Sequence, residues 1–125
     1  MKILVNGCEW EIVEMTQEEI RNELAERAKK GYEEEPVVGM YFGVTLHDTQ
    51  KILLDKNLPR DRKKKTLTHE LTHCYIGAFI THQSKTYDEE MVCDIVANSY
   101  LLIHEVVENY FSVGGDKKWQ NINQD

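Results

Sequence analysis

The alternation of apolar and polar residues predicts a β-hairpin in the first part of the chain. Apolar side chains recur at every second position in residues 2–5 and in residues 9–14, which is the period of a strand with one buried face. Asn6-Gly7 lies between the two segments. Both residue types tolerate the positive φ angles of a tight turn, so the two segments are expected to pair.

A helical pattern follows. Thr16-Gln-Glu-Glu19 has the form of a capping box, in which each end residue's side chain accepts a hydrogen bond from the other's backbone N–H. Lys29-Lys30-Gly31 is typical of a helix end. The helix between these signals has an apolar stripe formed by Ile20, Leu24 and Ala28.

Two more strands are predicted in the middle of the chain. Residues 37–46, VVGMYFGVTL, are β-branched and aromatic with two glycines, and residues 51–55, KILLD, form a second apolar run. Residues 47–50 between them have the composition of a turn.

Two long helices are predicted next, over residues 60–80 and from 89 to about 110. Asp88 is positioned to cap the second helix, and residues 81–87 form a polar loop. The core candidates of the first helix are Leu67, Leu71, Cys74 and Ala78, and those of the second are Met91, Ile95, Leu102 and Val106.

These elements predict an α+β fold. A small, mostly antiparallel sheet is expected to pack on the helix of residues 60–80 and on the second long helix. The length of 125 residues favours one domain. We assign that domain to residues 1–113, with residues 114–125 as a polar tail.

Composition narrows the function classes. Residues are 41% apolar and 30% charged, typical of a soluble globular protein. No apolar run approaches the roughly 20 residues that span a bilayer, so no membrane association is expected. No secretory signal pattern begins the chain, and three cysteines cannot all pair. A cytoplasmic, reducing location is therefore expected.

The formal charge of −7 disfavours nucleic-acid binding. One basic cluster is present, formed by Arg60, Arg62, Lys63, Lys64 and Lys65. It contains no aromatic residue that could stack on bases, so a solvated first half of the helix is the favoured interpretation.

The candidate chemistry lies in His69-Glu70-Leu71-Thr72-His73, an H-E-x-x-H motif. Residues i and i+4 of a helix lie one above the other, so both imidazoles can reach one Zn²⁺ ion. Zinc lowers the pKa of bound water, and Glu70 is the expected proton acceptor. The alternative is a pair of surface histidines with no metal.

Catalytic zinc normally has a third protein ligand. In one class of zinc peptidases the third ligand is a histidine in the pattern H-E-x-x-H-x-x-G-x-x-H. That pattern would require glycine at 76 and histidine at 79, where this chain has Ile76 and Phe79. The favoured third ligand is Glu90, with Asp94 one helical turn later to accept the spare N–H of a ligating histidine. Glu89 and His82 remain alternatives. Candidates for stabilising the transition state are Tyr75, Tyr87, His82 and His104.

Residues 66–77, TLTHELTHCYIG, followed by EEMVCDIVANSYLL resemble the ImmA/IrrE-type zinc metallopeptidases. Their pattern is an HExxH helix, a short loop and E-x-x-A-[ND]-x-F-A-x-x-L-L, with Cys93 and Val96 here at the alanine and phenylalanine positions. The resemblance covers about residues 37–103. It implies a minimal zincin-like fold, with Zn²⁺ bound by His69, His73 and Glu90. It also implies that Glu70 is the acidic residue that takes part in catalysis.

In that family a common substrate is a helix-turn-helix transcriptional repressor, and compact members resemble phage- or prophage-encoded proteins. The leading hypothesis is therefore a zinc-dependent endopeptidase with a protein substrate. The alternative is a non-catalytic zinc-containing module that binds a phage or host regulator. The sequence does not specify an oligomeric state.

Overall fold

The chain folds into a four-stranded sheet with helices on both faces. The computed structural model describes residues 1–31, 40–79 and 89–112, with the backbone alone at Phe79 and at some positions of the last helix. The elements in chain order are β1 (Lys2–Val5), β2 (Cys8–Met15), α1 (Gln17–Lys29), β3 (Gly43–Leu46), β4 (Lys51–Asp55), α2 (Arg60–Phe79) and α3 (Glu89–Phe111).

The predicted hairpin and capping box are both confirmed. β1 and β2 pair antiparallel, and the turn residues Asn6 and Gly7 have φ angles of 48° and 82°. At the start of α1, Thr16 Oγ1 accepts a hydrogen bond from the Glu19 N–H at 3.1 Å. Thr16 N–H donates to Glu19 Oε1 at 3.0 Å, which completes the reciprocal pair.

The strand order is β1-β2-β4-β3. The β1–β2 and β3–β4 pairs are antiparallel, whereas β2 and β4 are parallel. β4 lies between two strands and under helices on both faces, which explains why Ile52, Leu53 and Leu54 are all apolar and fully buried. The predicted α+β class with a mostly antiparallel sheet is confirmed.

Alternate residues of β4 belong to two hydrophobic cores. Leu53 joins Ile20 and Leu24 of α1 on one face of the sheet. On the other face Ile52 and Leu54 meet the larger core, which includes residues of α2 and α3. The sheet therefore holds α2 on the face opposite α1.

Helices α2 and α3 run in opposite directions. The Arg60 guanidinium, in the first turn of α2, donates to the Phe111 carbonyl at the end of α3 at 2.8 Å. One turn further along α2, Lys64 pairs with Glu108 at 3.3 Å. The direction of the two helices therefore brings the beginning of α3 toward the end of α2.

Two details of the sequence prediction were wrong. Of the strand predicted for residues 37–46, Gly43–Leu46 form a strand and residues 40–42 do not, while residues 37–39 lie outside the described part. Leu102 is 45% exposed and Ile103 is buried in its place, whereas the predicted core residues Ile95 and Val106 are both buried. Asp88, the Met91 side chain and the tail 114–125 lie outside the described residues.

Some apolar side chains of α3 are not buried. Those that are at least 45% exposed are Val92, Val96, Tyr100, Leu101 and Leu102. Among the described residues, no helix has the length and apolar character needed to cross a membrane.

Candidate metal centre

His69 and His73 lie side by side on the exposed face of α2. Their Nε2 atoms are 3.2 Å apart, and their ring centroids are separated by 4.8 Å. Helical spacing of four residues stacks the two side chains, while Leu67, Leu71 and Cys74 occupy the opposite, buried face. The histidines therefore have no role in the core, and their rings are available to a ligand.

The separation of the two nitrogens fits a shared zinc ion. Two nitrogens bound to one tetrahedral zinc ion at about 2.05 Å each lie about 3.3 Å apart. The observed 3.2 Å between the Nε2 atoms agrees with this separation. The separation of the pair therefore fits two ligands of one zinc ion, and without a metal the same 3.2 Å contact is a hydrogen bond between the two rings.

Glu70 is buried beside the histidines, with only 6% of its surface exposed. Thr45 of β3 donates its hydroxyl hydrogen bond to Glu70 Oε1, with an oxygen–oxygen distance of 2.8 Å. The other carboxylate oxygen, Oε2, lies 3.9 Å from His69 Nε2. The strand thus holds one oxygen of the carboxylate, and the second points toward the histidines.

The Thr45 contact was not anticipated from the sequence. A threonine in a β-branched strand is ordinary in itself, and its partner Glu70 lies 25 residues away in the chain. The only local signal is that Thr45 is a hydrogen-bonding side chain between Val44 and Leu46.

Gly43 allows β3 to approach α2 closely. A Cβ atom at this position would lie 2.8 Å from Thr66 Cγ2 and 2.9 Å from Glu70 Cγ. These atoms belong to the inner parts of helix side chains, which cannot move away without a change of rotamer. Glycine is therefore required for the contact between the strand and Glu70.

A cleft of about 800 Å³ extends from His69 and Glu70 along the first half of α2. Residues 40–43 form one wall of it, and Arg62, Lys65 and Thr66 form part of the other. Gln17 holds the first wall, because its side-chain amide donates to the Tyr41 carbonyl at 2.6 Å and accepts from the Tyr41 N–H at 2.9 Å.

Cys74 follows His73 directly but belongs to the core. Its side chain is 1% exposed. Burial, together with the nearby negative charge of Glu70, raises the pKa of the thiol to about 12. The thiol is therefore protonated at neutral pH, and Cys74 is not suited to be a metal ligand or a nucleophile.

The favoured third ligand lies on α3. Glu90 and Asp94 are in its first two turns, where the structure describes the backbone but not these side chains. The Glu89 side chain, His82 and Tyr87 also lie outside the described residues. Among the side chains that are described, no cluster of three or more His, Cys, Asp or Glu residues is arranged to hold a metal.

The remaining candidates for transition-state stabilisation differ in position. Tyr75 is 3% exposed and packs within the larger core, where burial raises the pKa of its hydroxyl. His104 is exposed on α3. His47, interpreted from the sequence as an ordinary histidine, meets the ring of Trp10 edge-on at 5.7 Å and covers Gly77.

The basic cluster at the start of α2 divides into two groups. Lys63 pairs with Glu14 of β2 at 2.7 Å, and Arg60 and Lys64 contact α3 as described above. Arg62 and Lys65 instead line the cleft. The prediction of a solvated first half of the helix fits Arg60, Arg62 and Lys65, which are exposed, whereas Lys63 and Lys64 are partly buried in contacts with neighbouring elements.

No family model, no curated protein and no solved structure matches this chain.

Proposed function

We propose that the protein is a zinc-dependent endopeptidase that hydrolyses a peptide bond in a protein substrate. The observation that carries the proposal is the proximity of three side chains, two of which, His69 and Glu70, line one end of the cleft. The His69 and His73 Nε2 atoms are 3.2 Å apart, and the Glu70 carboxylate lies beside them with one oxygen 3.9 Å from His69 Nε2.

In this proposal His69 and His73 bind Zn²⁺ through Nε2, and Glu90 of α3 supplies the third ligand. Asp94, one helical turn after Glu90, accepts a hydrogen bond from a ligating imidazole and sets its orientation. The bound zinc would supply Lewis acidity, polarising the substrate carbonyl and lowering the pKa of water.

Glu70 is the proposed general base. It accepts a proton from the attacking water and donates it to the leaving amine. Thr45 supports this role, because its hydroxyl holds Oε1 at 2.8 Å. Within the described residues Oε2 has no hydrogen-bond donor, and Glu70 lines the cleft. One oxygen is thus oriented while the other remains available for proton transfer.

The edge strand β3 supports a peptide substrate. It pairs with β4 on one side and is the last strand in the order β1-β2-β4-β3. An extended peptide can add to such an edge through main-chain hydrogen bonds. It would then pass over the Glu70 carboxylate, since Thr45 lies in that strand.

The resemblance to the ImmA/IrrE-type peptidases suggests the kind of substrate. We infer a helix-turn-helix repressor of a phage or mobile element, cut in the cytoplasm. The described cysteines are compatible with a reducing compartment, because Cys8 and Cys74 are both free thiols.

One observation favours a second function, a non-catalytic module that binds a regulator. The exposed apolar side chains of α3 include Tyr100 and Leu101, which are 58% and 64% exposed. Exposed apolar surface of this kind often marks a protein interface. The buried Glu70 favours the enzyme, because a purely structural zinc site does not need a base beside it.

The decisive experiment compares the wild type with Glu70→Gln. We expect both proteins to bind one zinc ion per chain, measured by elemental analysis, because glutamine preserves the shape and the Thr45 contact. Cleavage of a co-expressed repressor should fall by about 10²–10⁴-fold in the variant. Equal cleavage by the two proteins would exclude Glu70 as the base.

The third ligand can be tested with two adjacent carboxylates. Glu90→Gln should lower zinc affinity by at least about tenfold, whereas Glu89→Gln should leave it unchanged. Competition with a fluorescent zinc chelator measures both affinities. A loss confined to Glu89→Gln would transfer the ligand role to Glu89.

A further inference from the structure

We propose that the cleft selects substrates with an acidic side chain two or three residues from the reacting peptide bond. Arg62 and Lys65 bind that carboxylate. This inference rests on the proposed peptidase function for the identity of the reacting bond, but the charge selection concerns the cleft itself.

The distribution of the basic residues supports the proposal. Arg60, Lys63 and Lys64 are each bonded to an acceptor outside the cleft, namely the Phe111 carbonyl, Glu14 and Glu108. Arg62 and Lys65 line the cleft, and neither forms an ion pair with any described carboxylate. Both side chains are therefore available to a carboxylate that enters the cleft.

Arg62 is held in place by an aromatic residue of the opposite wall. Its guanidinium carbon lies 5.1 Å from the centre of the Phe42 ring, a cation–π contact. Such a contact orients the guanidinium without neutralising its charge. Its hydrogen-bond donors therefore remain available to a carboxylate in the cleft.

Helix geometry gives the distance to the reacting bond. Arg62, Lys65 and His69 are separated by three and four residues, so they share one face of α2. Arg62 and Lys65 lie about 10 Å and about 6 Å before His69 along the axis, at about 1.5 Å per residue. An extended peptide covers these distances in two to three residues, at about 3.3 Å each.

Asp61 also lines the cleft and opposes the two cations. It lies in the first turn of α2, where the helix dipole favours an acidic residue. These three side chains carry one net positive charge, which the Glu70 carboxylate at the other end of the cleft balances. Attraction of an acidic side chain is therefore expected at the end of the cleft where Arg62 and Lys65 lie and not along its whole length.

The other wall of the cleft accepts an apolar side chain. Met40 and Phe42 are 64% and 37% exposed in positions that line the cleft. The expected substrate segment therefore has an apolar residue between the reacting bond and the acidic residue, in extended conformation.

Fluorescent ten-residue peptides test the proposal. Each has one glutamate, placed at successive positions in a neutral, apolar background, and is paired with a peptide that has glutamine at the same position. Binding to zinc-loaded Glu70→Gln protein is measured by fluorescence anisotropy, and cleavage by the wild type is followed by mass spectrometry. We expect tighter binding of the glutamate peptide at one or two adjacent positions, weakening as salt is added.

The variant Arg62→Gln/Lys65→Gln should reduce the glutamate-to-glutamine affinity ratio by about tenfold, since exposed charge pairs each contribute a factor of about two to five. Lys64→Gln is the matched control, because it removes the same charge from the neighbouring position outside the cleft. This control should leave the ratio unchanged, and Asp61→Asn should increase it.

The outcomes separate this inference from the proposed function. Cleavage without preference for glutamate, or a preference that survives in the double variant, would overturn the charge selection and leave the peptidase intact. Glutamate-dependent binding that requires Arg62 and Lys65, with no cleavage of any peptide or repressor, would support the charge selection and reject the peptidase. No binding of any peptide would overturn the inference.

Discussion

The two faces of α2 differ in what they contribute. On the inner face Leu67, Leu71 and Cys74 are at most 1% exposed and pack against the sheet and α3. On the outer face the His69 side chain is 69% exposed. Folding depends on the inner face, so the residues of the outer face are free to serve another purpose.

Glu70 lies at the boundary between these faces. It is as buried as a core residue, yet its carboxylate opens onto the cleft and contacts Thr45. Burying a carboxylate is costly unless polar partners compensate for the lost water. The close approach of β3, allowed by Gly43, provides that partner. The comparison shows that the candidate base depends on the sheet, whereas the histidine pair depends on helix spacing alone.

The largest loss of stability is expected when a side chain on the inner face of α2 is truncated. Leu71→Ala should lower the free energy of unfolding by about 2–5 kcal/mol, because Leu71 is fully buried in the larger core. Thr68→Ala, on the exposed side of the same helix, should change it by less than about 0.5 kcal/mol. Urea unfolding followed by circular dichroism measures both. Similar losses for the two variants would contradict the division into faces.

A smaller effect is expected at the contact between β3 and α2. Gly43→Ala should destabilise the protein by about 1–3 kcal/mol, since its Cβ would overlap Thr66 and Glu70. It should also reduce cleavage by displacing Glu70. Gly77→Ala is the control, because the atoms nearest to its Cβ would belong to the ring of exposed His47, which can move. Full cleavage by Gly43→Ala would show that Glu70 does not need this contact.

Removing the hydroxyl of Thr45 should cost less. Thr45→Val keeps the shape and leaves Glu70 Oε1 without its donor, so a loss of about 1–2 kcal/mol is expected in unfolding experiments. Thr68→Val removes a hydroxyl that bonds only the Lys64 carbonyl on the exposed face. Its effect on stability and cleavage should be smaller. Identical effects at the two positions would argue against a positioning role for Thr45.

The smallest effect on stability is expected from the ion pair between Lys63 of α2 and Glu14 of β2. Burial raises the pKa of Glu14, but the hydrogen bonds from Lys63 and Tyr110 and the Lys63 charge outweigh it, so the pKa is lowered. A lowered pKa means that the folded state favours the ionised carboxylate. The stabilisation is thus present above about pH 4.3, the ordinary glutamate value, and disappears as the pH falls through the lower folded-state pKa.

Glu14→Gln should remove this part of the pH dependence, with a change of less than about 1 kcal/mol at neutral pH. Thermal unfolding between pH 3 and pH 7 measures it. Glu9→Gln is the control, because Glu9 forms an exposed ion pair with Lys2. An acid-induced loss of stability that is unchanged in Glu14→Gln would show that the Lys63 contact contributes nothing.

Much of the local structure was predictable. The turn at Asn6-Gly7, the capping box at Thr16 and the range of α2 all follow from short-range patterns, and the structure confirms them. The errors arose where tertiary packing decides which residues are buried. Leu102 fits a helical stripe as well as Ile103 does, and only the approach of α2 determines which of them is buried.

The order and pairing of the strands also could not be predicted from the pattern of apolar and polar residues. β2 and β4 are parallel neighbours although α1 and β3 separate them in the chain. Alternation of apolar and polar residues specifies the buried face of a strand but not its partner. The contact between Thr45 and Glu70 depends on this arrangement.

By itself the sequence determined that two histidines and a glutamate lie on a helix whose opposite face is apolar. This is possible because residues three or four apart in a helix lie on the same face, so their relative positions follow from the order of residues along the chain. Only the tertiary structure decided that Glu70 is held by Thr45, and that Arg62 and Lys65, but not Lys63 and Lys64, face the cleft. Neighbouring residues of a helix point about 100° apart, so their surroundings depend on which strands and helices pack around them.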